Sequence, residues 1–157
     1  MAEDQSDVVT VERVIPAPPE KIFALLADPA QHQVIDGSGT VREAKGVPSQ
    51  KLELGSTFGM HMKMGLPYSM ESEVIEFEEG RRIAWQTRPP VGKQLGGGRI
   101  WRYELEPVDG GTRVRETWDI SQEKSASKWL VGLGGSRKKA GDNMAKTLEN
   151  IERIVTT

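Results

Sequence analysis

The sequence has no cysteine, which excludes disulfides, thiolate zinc sites and a cysteine nucleophile. Nor is there an excess of positive charge. The formal net charge is −2 over 157 residues, so no global positive field points to a nucleic-acid partner. Histidine is scarce: His32 and His61 stand far apart with no carboxylate motif between them, so no metal site is expected and each reads as a surface residue. Long apolar runs are missing, and none approaches the roughly 20 residues of a membrane span. The start, Met1-Ala2-Glu3-Asp4-Gln5-Ser6-Asp7, is acidic, whereas a secretory signal opens with basic residues and an apolar stretch. A cytoplasmic protein without stable membrane insertion is the expectation. Nucleophile-elbow, phosphate-loop and dinucleotide motifs are absent as well, and Gly96-Gly97-Gly98 precedes a strand rather than a helix, so no cofactor is expected.

What is present is a regular succession of elements. After residues 1–7, read as a flexible acidic tail, Val8 to Ile15 is rich in β-branched residues and predicts a strand. Pro16-Ala17-Pro18-Pro19 ends it, and Pro19 suits the first turn of a helix, where its missing N–H is no loss. Ile22, Phe23, Leu25 and Leu26 then recur at helical spacing until Asp28-Pro29 stops the helix. A second short helix is expected over Pro29 to Val34. Strands follow at Thr40 to Ala44, Thr57 to Met64, Tyr68 to Phe77, Arg81 to Arg88, Gly98 to Glu106 and Thr112 to Ile120. Turn chemistry separates them at Asp36-Gly37-Ser38-Gly39, Gly65-Leu66-Pro67, Glu79-Gly80 and Asp109-Gly110-Gly111, with a longer loop over Arg88 to Gly98. Ser125 to Leu133 predicts a helical turn or two. From Ser136 a long helix runs to about Val155, its apolar stripe being Ala140, Met144, Leu148, Ile151 and Val155. Consecutive short-turn strands make a twisted antiparallel sheet, and one long amphipathic helix is the natural cover for its concave face. The chain is read as one domain over residues 8–157.

Three stretches carry a family likeness. Ile15-Pro16-Ala17-Pro18-Pro19-Glu20-Lys21-Ile22-Phe23 with Leu26-Ala27-Asp28-Pro29 is the first. Val74-Ile75-Glu76-Phe77-Glu78-Glu79-Gly80-Arg81-Arg82-Ile83-Ala84-Trp85 is the second. The third joins Trp101-Arg102-Tyr103-Glu104-Leu105-Glu106-Pro107 to Gly110-Gly111-Thr112-Arg113-Val114 and Glu116-Thr117-Trp118. In this order they resemble the START-like SRPBCC superfamily, in its polyketide cyclase/dehydrase and lipid-transport branch. The resemblance implies an α+β helix-grip fold: a curved antiparallel sheet of about seven strands around a long C-terminal helix, with two short helices after the first strand. Members bind sterols, lipids, polyketides or plant hormones, or catalyse cyclisation and dehydration, with no universal catalytic residue. Where many relatives carry a tryptophan after the second helix, this chain has Val34-Ile35-Asp36.

Within that fold the concave face is the cavity wall, and several residues are expected on it. Phe58, Met60, Met62 and Met64 alternate along one strand, with Met70 opposite; methionine adapts to ligands of varied shape, although the same stripe also reads as ordinary core. Trp85, Trp101 with Tyr103, and Trp118 fall on the inner faces of three adjacent strands, as cavity lining or as core filling. Met144 and Leu148 face them from the long helix. Glu116 lies between Val114 and Trp118 on the same inward parity, where a carboxylate is costly unless paired or protonated. It reads as the holder of a ligand hydroxyl or amine, as the candidate general acid, or as half of an ion pair with Arg99 or Arg102. Trp129 and Leu133, apolar but interrupted by Gly132, Gly134 and Gly135, suit a gate over the cavity. Lys124, Lys128, Arg137, Lys138, Lys139 and Lys146 make the last third basic, either as a solvated face or for transient contact with an anionic membrane or ligand head. The function expected is a carrier or sensor of an apolar or amphipathic small molecule. The rival is a cyclase, aromatase or dehydratase using Glu116 with Tyr103 or Tyr68.

Overall fold

A computed structural model describes residues 7–37, 41–45, 51–64, 66–88, 98–122 and 136–157, with the side chains of 41–45, 60–69 and 136 excepted. β1 (Val8–Ile15) leads into α1 (Pro19–Leu26), a 3-10 turn (Pro29–Gln31) and α2 (His32–Ile35). There follow β2 (Val41–Lys45), β3 (Thr57–Met64), β4 (Leu66–Glu78), β5 (Arg82–Arg88), β6 (Arg99–Val108), β7 (Gly111–Asp119) and α3 (Ser136–Val155).

Local chemistry accounts for the boundaries. Pro19 opens α1 at its first position, and Asp28 stops the chain short of Pro29, its carboxylate accepting a hydrogen bond from the Ala30 N–H at 3.0 Å. Gly80 and Gly110 turn the chain between β4 and β5 and between β6 and β7 with φ of 75° and 83°, which side chains rarely adopt. One expected turn is displaced: Leu66 and Pro67 belong to β4, where Met64 pairs with Leu66 and Lys63 with Pro67. The β3–β4 ladder therefore extends further than the Leu66-Pro67 signal implied. The second helix also differs from the single piece expected, because its start is wound as the 3-10 turn.

All seven strands form one antiparallel sheet in the order β1-β7-β6-β5-β4-β3-β2. First and last strands are neighbours, so α1 and α2 carry the chain from one edge of the sheet to the other. A register shift between Val74 and Glu76 marks a bulge in the β4–β5 ladder, a device that bends a sheet. The outward face is laced with cross-strand ion pairs, among them Glu12–Arg115, Arg82–Glu104 and Arg102–Glu76. Each contributes at most about 1 kcal/mol, so these pairs set surface register more than stability.

The inward face is covered by α3. Its stripe of Met144, Leu148, Ile151 and Val155 is buried as the spacing predicts. Leu148, Ile151 and Val155 join Ile15, Ile22, Leu26, Phe58, Ile83, Trp85, Tyr103 and Val114 in the main core, while Met144 packs with Trp118 and Ile120 in a second cluster. Two polar clasps hold the helix in place. Arg13 of β1 pairs with Glu152 at 3.1 Å. At the other edge, the Gly37 N–H donates to Thr147 Oγ1 at 2.9 Å, and Asn150 Nδ2 donates to the Ile35 carbonyl at 3.1 Å.

Gly37 sits so close to α3 that a Cβ there would lie 2.3 Å from the Asn143 carbonyl oxygen and 2.7 Å from Thr147 N. Both are helix backbone and cannot yield. Gly37→Ala is therefore expected to lower stability by about 1–3 kcal/mol, read from the midpoint of a urea transition.

Candidate functional site

Alternation along β6 and β7 decides which side chains meet beneath α3. Trp101, Tyr103 and Leu105 share one face of β6; Val114, Glu116 and Trp118 share the same face of β7. The register sets Tyr103 directly opposite Glu116, Trp101 opposite Trp118, and Leu105 opposite Val114. On the other side Glu116 is paired with Val11 of β1. Glu116 is thus flanked by an aromatic phenol and an aliphatic residue, and only 1% of its surface is exposed.

The Tyr103 hydroxyl hydrogen-bonds the carboxyl group, yet Glu116 Oε1 is buried without a partner among the described residues. Burial pushes the Glu116 pKa up to about 8; the Tyr103 hydroxyl offsets part of this and the negative Asp36 adds to it. Tyr103 is also held well above the ordinary tyrosine value, first by burial and then by Glu116. The carboxyl is therefore neutral at pH 7 and carries a proton able to donate a hydrogen bond. The ion pair with Arg102 does not form. Arg102 is on the outward parity and clamps Glu76 through Nε at 3.1 and 3.2 Å and through Nη2.

Around this pair stands an aromatic wall. Trp85 lies 5.6 Å from Tyr103 between ring centres and 5.7 Å from Phe58. Trp101 and Trp118 are 6.5 Å apart, Trp101 half-buried and Trp118 buried. Met144 belongs to the cluster of Trp118, and Leu148 to that of Trp85 and Tyr103. The structure so brings Phe58, Trp85, Trp101, Tyr103, Glu116, Trp118, Met144 and Leu148 together on and above one face. Met70, half-buried, pairs in register with Met60. Met60, Met62 and Met64 occupy positions of the same parity as Phe58, but their side chains lie outside the described residues, as do those of Tyr68 and His61. Trp129, Leu133, the glycines between and after them, Lys124, Lys128 and residues 89–97 also lie outside the described residues, as does the helical turn expected over Ser125 to Leu133. Of the remaining basic residues, Lys138, Lys139 and Lys146 are exposed, whereas Arg137 reaches Asp7 at 3.4 Å.

His32 corrects an expectation. It is buried, stacked on Trp85 at 4.7 Å and 20°, and its Nε2 donates to the Leu26 carbonyl at 2.9 Å. Burial holds its pKa below 6.5. The signal was its spacing: His32 and Ile35 are three apart and so share the buried face of α2. Asp36 escaped notice because its effect on Glu116 crosses 80 residues of sequence.

Among the described residues a surface cleft of about 560 Å³ opens elsewhere, between α1 and the β4–β5 turn, lined by Phe23, Glu20, Asp28 and Lys51 among others. It contains none of the residues above, and Lys51 is tied across it to Glu79 at 2.9 Å. No group of three or more His, Asp or Glu side chains suited to a metal ion occurs among the described residues. No helix among them is long and apolar enough to cross a membrane.

Residues 6–156 match the family described as polyketide cyclase / dehydrase and lipid transport. The chain belongs to that family. Its fold is the helix grip of the SRPBCC superfamily. Over 107 residues it is 40% identical to the Mycobacterium tuberculosis protein Rv0088, the match covering 67% of this chain and 44% of that protein. The matched stretch is thus less than half of that relative. Among solved structures, Ms6760 of Mycobacterium smegmatis superposes with a TM-score of 0.68 at 17% identity, covering 99% of this chain and 95% of the other. The polyketide-cyclase-like protein Cgl2372 of Corynebacterium glutamicum superposes with a TM-score of 0.63 at 21% identity, covering 98% and 94%. Identities of this size carry the fold alone.

Glu116 and His32 bend stability in opposite directions. Folded Glu116 keeps its proton to about pH 8, whereas the unfolded chain releases it near 4.5, so stability falls as pH rises through that window. His32, neutral when folded, makes stability fall as pH drops below 6.5. Glu116→Gln should remove the alkaline limb, at most about 1.4 kcal/mol per pH unit, and keep the acid one. Urea melts from about pH 5 to 9 measure this; an unchanged alkaline slope would show that Glu116 is not the buried neutral acid.

Proposed function

We propose that this domain, residues 8–157, binds an apolar or amphipathic small molecule between the concave sheet face and α3, as an intracellular carrier or sensor of a lipid, sterol or polyketide-like compound. The observation that carries this reading is Glu116: a completely buried carboxyl with one oxygen unanswered among the described residues, set in a wall of aromatic rings. A purely structural core gains nothing from such a group, because an unmade buried hydrogen bond costs about 1–3 kcal/mol. A ligand with a polar end supplies the missing partner, and Phe58, Trp85, Trp101 and Trp118 accommodate the rest of it. Family membership supports the reading at the level of class. The exposed Lys138 and Lys139 on α3 fit transient contact with an anionic membrane that delivers the ligand.

The second reading, a cyclase, aromatase or dehydratase, is favoured by one observation. Glu116 and Tyr103 are adjacent weak acids whose pKa values are both raised, and a neutral carboxyl near its pKa at physiological pH is a serviceable general acid.

Tryptophan emission separates binding from a filled core. Titration with a panel of fatty alcohols, sterols and aromatic polyketides should give saturable quenching. The ligand that quenches should also stabilise the fold by about 2.7 kcal/mol at a hundred times its Kd. A flat panel in both measurements rejects the binding reading. Mass spectrometry of the recovered ligand then decides between the two functions: an unchanged mass assigns a carrier, and loss of water or a new ring dependent on Glu116 assigns an enzyme.

A further inference from the structure

Resting on that binding reading, we infer that the Glu116–Tyr103 pair is a polar subsite selective for an uncharged oxygen acceptor, such as a ketone, ester carbonyl or hydroxyl, and that it discriminates against carboxylates.

The geometry leads there in three steps. The Tyr103 hydroxyl hydrogen-bonds the carboxyl while Oε1 finds no hydrogen-bond partner among the described residues, so Oε1 is the oxygen open to a ligand. An ionised Oε1 would be a buried charge without counter-ion or donor, which is far costlier than a neutral hydroxyl in the same place. The proton therefore resides on Oε1 and calls for an acceptor. The charges and titrating groups acting on the pair then decide which acceptor. Tyr103 faces it from β6 and Asp36 from the end of α2, and both are neutral or negative. β1 offers the apolar Val11, its Arg13 being tied to Glu152. α3 offers Met144 and Leu148 to the flanking clusters. Beyond Trp85 stands His32, held neutral by burial. Among the described residues no cation figures in the influences on Glu116, so a carboxylate head would meet a negative potential without compensation, whereas a ketone or hydroxyl accepts the Glu116 proton at no charge cost.

Displacement of Nile red, a neutral fluorophore, by five ligands of one chain length tests this: dodecane, 2-dodecanone, dodecanol, dodecanoate and dodecylamine. Near pH 7 the ketone and alcohol should bind about tenfold more tightly than dodecane, the usual worth of one net hydrogen bond, and dodecanoate more weakly than either. Raising the pH beyond about 9 should erase the ketone preference in the wild type by ionising Glu116. Glu116→Gln, whose amide still donates, should keep the preference and lose its pH dependence. Glu116→Leu should bring the ketone-to-dodecane ratio to about one. The outcomes are distinguishable. If Nile red itself shows no saturable binding, the pocket reading fails and the subsite with it. If Nile red and dodecane bind but the ketone gains nothing, or Glu116→Leu leaves the ratio intact, the pocket stands and the subsite is refuted, Oε1 being satisfied by water. If dodecylamine binds best, with a preference rising with pH, Glu116 is an ionised receptor for cations and the inference is overturned.

Discussion

Every second residue of β6 and β7 is committed to the face beneath α3, and Glu116 falls on that parity. A one-residue slip would turn Glu116, Tyr103, Trp101 and Trp118 outward together and bring Arg102 and Arg115 inward. Register is therefore enforced by the hydrophobic effect over the whole face, not by Glu116 itself. The carboxyl is carried inward by its neighbours: Val114 and Trp118 on its own strand, Leu105 and Trp101 opposite, and the apolar stripe of α3 above. With its charge removed by protonation, the residue is tolerable there. With its second oxygen unpaired, it is still not optimal. Such a local misfit, maintained by a well-made surrounding core, is a common mark of a site that serves binding rather than stability.

The placement of α3 is the second requirement, since the helix is what covers the concave face and buries its side chains. Apolar burial along Leu148, Ile151 and Val155 supplies most of the attachment, at about 1.5–3 kcal/mol per large side chain. The Arg13–Glu152 pair and the Gly37–Thr147 and Ile35–Asn150 hydrogen bonds fix where along the sheet the helix rests. These clasps come from opposite edges of the sheet. Met144 and Trp118 form a cluster of their own, apart from the main core, with half-buried Trp101 packed against it. The wall of the site is thus built from two packing units, and Tyr103 and Glu116 stand at the ladder position between Leu105–Val114 and Trp101–Trp118.

The face also holds an imidazole and a carboxyl that are both neutral near pH 7 for the same physical reason, loss of water. His32 is satisfied by the Leu26 carbonyl and by stacking on Trp85, and so acts as a structural aromatic. Glu116 is not satisfied in the same way. Of the two groups, the carboxyl and not the histidine is the one left with a polar atom unpaired among the described residues.

Much was decided by the sequence alone. Period-two alternation in residues 98–120 and the four-residue spacing of Ala140, Met144 and Leu148 are local properties, and they determined the strands, the long helix and which faces are apolar. The inward parity of Glu116 followed from the same alternation. Tertiary structure alone decided the rest. That Tyr103 and not Arg102 meets Glu116 depends on strand register, and that Asp36 adds to its potential depends on α2 folding back toward the sheet. His32 became a buried partner of Trp85 because the chain crosses from one edge of the sheet to the other through α1 and α2. None of these is a property of neighbours along the chain. A side chain's periodicity states which way it points, whereas its solvation and its partners are set by what the other strands and helices bring to that place.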